Sequence, residues 1–253
     1  MTGASTDPWF PFGLGGEAPL RLFCLPYAGG GASNFLPWRL ALRPWAVAPV
    51  QYPGHETHLH APCLRDFGTM VEALAQALLP YLDRPYGLFG YSMGARLALA
   101  LENRLAELGC PPPQQLWVAA NRAPDGVAHH QGVSALPQAE FIEYVRRYDG
   151  VPEMVLADPE WSEMVFRVLR HDFALIESAT LPRPSRCPLI GYCGRDDDSA
   201  NAALMAGWAA YAPLGFVLRE FVGGHFFLRS APEFLACLGT DLAALHREAS
   251  HAS

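Results

Sequence analysis

The chain has 253 residues, of which 51% are hydrophobic and 17% charged, with a formal net charge of −7. That apolar share is enough for a sizeable buried core. The negative balance excludes the globally basic surface that binds nucleic acid or anionic membrane. Six cysteines (Cys24, Cys63, Cys110, Cys187, Cys193 and Cys237) are scattered without a C-x-x-C pair. They read as buried small hydrophobes or as free thiols in a reducing compartment. Met1 to Pro19 lacks both the basic start and the apolar run of a signal peptide. No apolar stretch reaches the roughly 20 residues of a membrane helix. The expectation is a soluble, cytoplasmic monomer.

Residues 1–19, rich in Gly, Pro and small polar side chains, read as a loosely held arm. Residues 20–253 then read as one α/β domain. Short apolar runs at Arg21–Leu25, Ala46–Val50, Tyr86–Phe89, Leu116–Ala120, Leu189–Tyr192 and Val217–Phe221 are nearly continuous rather than alternating. This is the pattern of parallel strands buried on both faces. Between them, 67–82 and 95–108 carry apolar residues at helical spacing, so strands and helices alternate as in a parallel sheet with right-handed crossovers.

About 138–180 the rhythm breaks. Phe141, Ile142, Tyr144, Val145 and Tyr148 fall on one helical face, and Trp161, Met164, Val165, Val168 and Leu169 on another. Gly150, Pro152 and Pro159 separate the two. A helical insertion in an α/β sheet is placed to act as a lid over a substrate site, with extra core helices as the alternative. Trp161 and Phe166 are candidates for lining an acyl chamber or for packing the lid on the core.

Gly90-Tyr91-Ser92-Met93-Gly94 matches G-x-S-x-G between an apolar strand and a helical pattern. The glycines let a strand turn sharply into a helix and leave Ser92 exposed as a nucleophile. A serine hydroxyl needs a base, and the partners follow in the order acid, then histidine. His225, in Gly223-Gly224-His225-Phe226-Phe227, is the candidate base. Gly194-Arg195-Asp196-Asp197-Asp198 offers three acids after a strand; Asp197 is chosen and Asp196 is second. The glycine-rich Leu25-Pro26-Tyr27-Ala28-Gly29-Gly30-Gly31 can present bare amides. The N–H groups of Ala28 and Met93 are the candidate oxyanion donors. No GK[ST] ending or G-x-G-x-x-G with an acidic ribose anchor supports a phosphate loop. His55, His58 and His60 do not form H-E-x-x-H and lie in a Pro/Gly-rich segment, so no metal site is assigned. His129 and His130 read as loop residues. Arg146, Arg147, Arg183 and Arg186 are candidates for meeting an acidic partner.

With these parts placed, the sequence resembles the type II thioesterases of polyketide and nonribosomal peptide synthesis. The resemblance runs from Trp9-Phe10 to about Leu228. It rests on Leu25 to Gly30, on Gln51-Tyr52-Pro53-Gly54-His55-Glu56, on Gly90 to Ala95 and on Gly223 to Leu228. In the insertion it rests on Leu136-Pro137, Glu140-Phe141 and Leu169-Arg170-His171-Asp172-Phe173. His55 stands where an arginine is common, and Cys193-Gly194 where two glycines are usual. The resemblance implies an α/β-hydrolase fold and a stand-alone enzyme that cleaves stalled or wrong acyl groups from the phosphopantetheine arm of a carrier protein. It implies Ser92, His225 and Asp197 as the triad, Ala28 and Met93 as oxyanion donors, and no cofactor beyond the pantetheine of the substrate. A carboxylesterase, an acyl-CoA thioesterase or an acyltransferase would use the same parts, and a non-catalytic binding protein is a further alternative.

Overall fold

The computed structural model describes residues 7–125, 129–148, 150 and 158–251. Six strands, β1 (Arg21–Leu25), β2 (Ala46–Pro49), β3 (Tyr86–Tyr91), β4 (Leu116–Ala119), β5 (Leu189–Gly194) and β6 (Phe216–Phe221), form one sheet in the order β2-β1-β3-β4-β5-β6. Every pairing is parallel. Among the described residues the five longest helices are α1 (Phe67–Leu78), α2 (Met93–Glu107), α3 (Gln138–Arg146), α4 (Pro159–Glu177) and α5 (Glu233–His251).

The continuous apolar runs are explained by a core on each face. Phe23, Leu25, Leu88, Leu116, Val118 and Leu189 pack with α1 and α2. Their neighbours in sequence, Leu22, Cys24, Phe89, Trp117 and Tyr192, pack on the other face with Trp38 and with Phe234, Leu238 and Leu242 of α5. Because side chains alternate across a strand, a residue polar on either face would be buried. The edge strand β6 is the exception and is only half covered, with Val217 exposed.

The order reverses between β1 and β3. From β1 the chain moves outward to β2, then returns to the other side of β1 at β3. Loops leaving the carboxyl ends of β1 and β3 therefore diverge and open a crevice, the usual place for a ligand in such sheets. Both the Gly29-containing loop and Ser92 lie there.

One expectation is corrected. Residues 7–19 are not a loose arm. Phe10 is fully buried with its ring 5.7 Å from that of Phe23. The Gln51 N–H donates to the Trp9 carbonyl (2.9 Å), and Gly15 lies against the backbone of Val47. The segment covers the open edge of β2, which would otherwise present unpaired backbone groups. Residues 1–6 lie outside the described residues. Arg183 and Arg186 precede β5, so they lie at the amino edge of the sheet, where Arg186 pairs with the buried Glu102 (2.8 Å) and Arg183 with Glu107 (2.6 Å).

Between β4 and β5 the chain inserts α3 and α4. Pro159 opens α4, and Asp158 caps it by accepting from the amides of Glu160 and Trp161. Phe141, Val145, Phe166, Leu169, Phe173 and Val133 form a separate small core within this insertion. No described helix is long and apolar enough to cross a membrane.

Candidate active site

Ser92 stands at the junction of β3 and α2 with φ 53° and ψ −117°. A non-glycine residue pays for such a backbone with strain, which persists only where the surroundings hold it. Here they do. The Ser92 N–H donates to the Ala119 carbonyl at 2.8 Å, and its own carbonyl accepts from Ala95 at 2.9 Å. The flanking glycines are required by space. A Cβ on Gly90 would lie 2.1 Å from the Gly94 oxygen, and one on Gly94 would lie 2.2 Å from the Leu25 oxygen.

From Ser92 a hydrogen-bonded chain runs inward. Ser92 Oγ is 3.0 Å from His225 Nε2, and His225 Nδ1 is 2.8 Å from Asp197 Oδ2. The other oxygen of Asp197 accepts from the Ser199 amide (2.9 Å), the Ser199 hydroxyl (2.6 Å) and the Ala200 amide (3.2 Å). Burial pushes the Asp197 carboxyl up, but hydrogen bonds and charge from His225, with the Ser199 bonds, outweigh it and hold the group below its ordinary value. Asp197 is buried, whereas Asp196 and Asp198 are exposed, which separates the three acids that sequence left side by side. His225 is fixed from two more directions. The Tyr91 hydroxyl donates to its carbonyl, and the ring of Tyr148, from the turn after α3, stands edge-on 5.0 Å from the imidazole.

The loop after β1 brings amides to the same point. The Gly30 N–H donates to the Tyr27 carbonyl (2.9 Å) and the Gly29 N–H to Asp172 Oδ2 (2.6 Å). The Ala28 N–H has no hydrogen-bond partner among the described residues. Met93 is the first residue of α2, so its amide has no acceptor within the helix. Ala28, Met93 and Ser92 line one cavity. Two N–H groups uncommitted among the described residues, lining one cavity with the serine, are the kind of donors that developing negative charge would need.

That cavity measures about 450 Å³ and lies between the crevice and the helical insertion. Val165, Leu169, Phe173 and Ile176 of α4 give it an apolar wall, and Asn121, Arg122, His130, Tyr144 and Tyr148 a polar one. Neither Trp161 nor Phe166 lines it. Trp161 is 59% exposed, and Phe166 faces Phe141 inside the core of the insertion. His129 and His130 are indeed in a loop, yet both line the cavity. Burial, followed by the charges of Arg96, His129 and Arg122, holds the His130 imidazole down to about 4, so it is neutral, and its Nδ1 is hydrogen-bonded with the Tyr144 hydroxyl at 2.8 Å.

Sequence reasoning gave no site role to Ser199, to Tyr148 (placed only on an apolar helical face) or to Asp172 (quoted only within a motif). Only Asp172 left a signal, as an acid on the apolar face of an amphipathic helix. Its partner is His55, at 2.9 Å. Among the described residues no group of three or more His, Cys, Asp or Glu side chains converges as a metal site would require.

An all-parallel sheet with a Ser–His–Asp chain at its switch point has the design of an α/β-hydrolase. The family described as thioesterase domain matches residues 20–241, and the chain belongs to it. It is 31% identical to the gramicidin S biosynthesis protein GrsT of Aneurinibacillus migulanus, over 89% of this chain and 90% of that protein. Among solved structures, the RedJ thioesterase from the prodiginine biosynthetic pathway in Streptomyces coelicolor superposes with a TM-score of 0.82. It is 34% identical, over 88% of this chain and 90% of its own. The type II thioesterase BorB from the borrelidin biosynthetic cluster gives 0.72 at 32% identity, over 93% of each chain.

Proposed function

We propose that this protein is a stand-alone thioesterase that hydrolyses acyl groups from the phosphopantetheine arm of carrier proteins, by an acyl-enzyme route through Ser92. The observation that carries the reading is the unbroken chain Asp197–His225–Ser92, opening into a half-apolar cavity that Ala28 and Met93 also line. The relatives named above, from gramicidin S biosynthesis, the prodiginine pathway and the borrelidin cluster, support the carrier-bound substrate.

In this reading Ser92 Oγ attacks the thioester carbonyl while His225 Nε2 takes its proton. Asp197 orients the imidazole and stabilises its cation, without itself being protonated. The tetrahedral oxyanion is held by the Ala28 and Met93 amides, each such donor being worth about 2.7–4 kcal/mol of transition-state stabilisation. His225 returns the proton to the departing pantetheine thiolate. It then activates a water, which attacks the acyl-Ser92 carbonyl, restores the serine and releases the carboxylic acid. The insertion α3–α4 acts as a lid. Its apolar wall receives the acyl chain, and its cover keeps bulk water from the ester.

The test is deacylation of acetyl- and propionyl-carrier protein, followed by intact mass spectrometry, with wild type beside Ser92→Ala. Loss of the acyl mass with wild type alone is expected. Cleavage of simple esters or acyl-CoA without carrier deacylation would instead identify a general esterase. Transfer of the acyl mass to an added alcohol or amine would identify an acyltransferase.

A further inference from the structure

Asp172 is an acid where the sequence calls for an apolar residue. It lies on α4 with 1% of its side chain exposed, between Leu169 and Ile176, which both line the cavity. A carboxylate so buried is costly unless it is paired and hydrogen-bonded. Its Oδ2 takes the Gly29 N–H at 2.6 Å and His55 Nε2 at 2.9 Å. His55 is itself buried, and its other nitrogen, Nδ1, lies 3.1 Å from the Pro53 carbonyl oxygen. An acceptor at each ring nitrogen requires a proton on each, so the ring is an imidazolium. Burial opposes that charge, but attraction and hydrogen bonding from Asp172, the Pro53 carbonyl and the charge of Glu56 outweigh it and raise the His55 pKa above its ordinary value. His58, His171, Tyr52 and Cys63 complete the titratable surroundings of the pair, with Arg65 and Arg167 beyond them.

The same helix also presses on the loop directly. Gly29 has φ +74°, and a Cβ there would lie 2.7 Å from Leu169 Cδ2, one turn before Asp172. We propose that the Asp172–His55 pair is a positioning device for the oxyanion loop, holding the Gly29 amide so that the neighbouring Ala28 amide is left facing Ser92. This rests on the reading of Ala28 as an oxyanion donor. Three segments distant in sequence meet at one carboxylate: the loop after β1, the turn at 52–58 and the helix that walls the cavity. With the Gly29 and Gly30 amides both committed, the peptide planes on either side of Ala28 have one arrangement. The donor is then preorganised rather than recruited when the substrate arrives. Asp172 and His55 touch no substrate in this scheme and act only through the loop.

The experiment is steady-state hydrolysis of acetyl-carrier protein between about pH 6 and pH 9, spanning the histidine range. Wild type is compared with Ser92→Ala, Asp172→Asn, His55→Gln and His55→Arg. Asp172→Asn is expected to lower kcat about 10- to 100-fold, the size of effect that a slightly misplaced group produces, with KM changed less than about threefold. His55→Gln should share that loss, and His55→Arg, which keeps a permanent cation and donor, should recover most of it. As pH rises above the ordinary histidine value, wild-type kcat should fall relative to His55→Arg. A merely structural pair would not divide the variants in that way. If Asp172→Asn does not fold, the wild type to His55→Arg ratio across pH decides alone. Superimposed profiles, or an Asp172→Asn kcat within about twofold of wild type, would overturn the positioning role while leaving Ser92 chemistry intact. A wild type no better than Ser92→Ala would overturn the reading of the site, and this inference with it.

Discussion

Three consecutive aspartates in one loop have two different fates, and burial decides between them. Asp197 turns inward to His225 and three further donors, while Asp196 and Asp198 face solvent. Asp197→Asn should keep the hydrogen bond but favour the wrong histidine tautomer, lowering kcat about 10⁴-fold. Asp196→Asn should stay within about twofold of wild type, as exposed substitutions do. Carrier-protein deacylation rates measure both, and an equal loss in the two would remove Asp197 from its role. Gly94→Ala makes a complementary point about space. Its Cβ has backbone oxygens for neighbours, which cannot swing away as a side chain would. It should lower stability by about 3 kcal/mol or more, read from the urea midpoint. Ser92, His225 and the pair of glycines were legible in the sequence because each role demands a particular residue at a fixed spacing. Asp197 against Asp196 was a choice between neighbours that only their burial separates. Ser199 and Tyr148 were not legible, since neither type nor spacing distinguishes a serine or tyrosine that touches the site.

At the scale of elements, the sheet was readable because parallel strands buried on both faces leave uninterrupted apolar runs. The insertion was readable as helices, but the partition of its apolar face was not. Periodicity shows that a stripe is apolar, not whether it meets another helix or an empty volume. Phe166 and Phe141 meet each other, with ring centroids 5.9 Å apart, while Val165 and Leu169 turn to the cavity. The reading of 1–19 as a loose arm fails over 7–19 for a related reason. Its glycines and prolines look flexible, yet Phe10 anchors it across the edge of β2. The insertion has its own small core, so it can loosen without unfolding the sheet. Phe141→Ala removes a fully buried ring from that core and should cost about 3–5 kcal/mol locally. Hydrogen exchange should then quicken in α3 and α4 and stay unchanged in β1, β3 and β4. Uniform quickening would mean that the insertion and the sheet unfold as one unit.

At the scale of the whole molecule, three buried or half-buried groups around the cavity make stability vary with pH, and they act in opposite directions. His130 has its folded pKa depressed to about 4 from 6.5. As pH falls through that interval the unfolded chain binds a proton that the folded one refuses, so stability declines. The largest loss is about 3 kcal/mol, reduced by the partial exposure of the ring. Asp197, held below its ordinary carboxylate value, adds a contribution that is lost only at still lower pH. His55 works the other way. Its folded pKa is raised, so its contribution is complete below the ordinary histidine value and disappears as pH rises through the folded one. The melting temperature should therefore climb from pH 4 to about pH 6.5 and sag again in alkali. His130→Gln, which keeps a hydrogen-bonding side chain for Tyr144 but cannot be protonated, should flatten the acid limb and leave the alkaline one. His55→Arg should do the reverse, since its cation does not titrate in this range. Melting curves of the three proteins across pH test both limbs. An acid limb as steep in His130→Gln as in wild type would show that His130 takes up its proton without cost to the fold, and that the polar wall of the cavity carries a charge in acid.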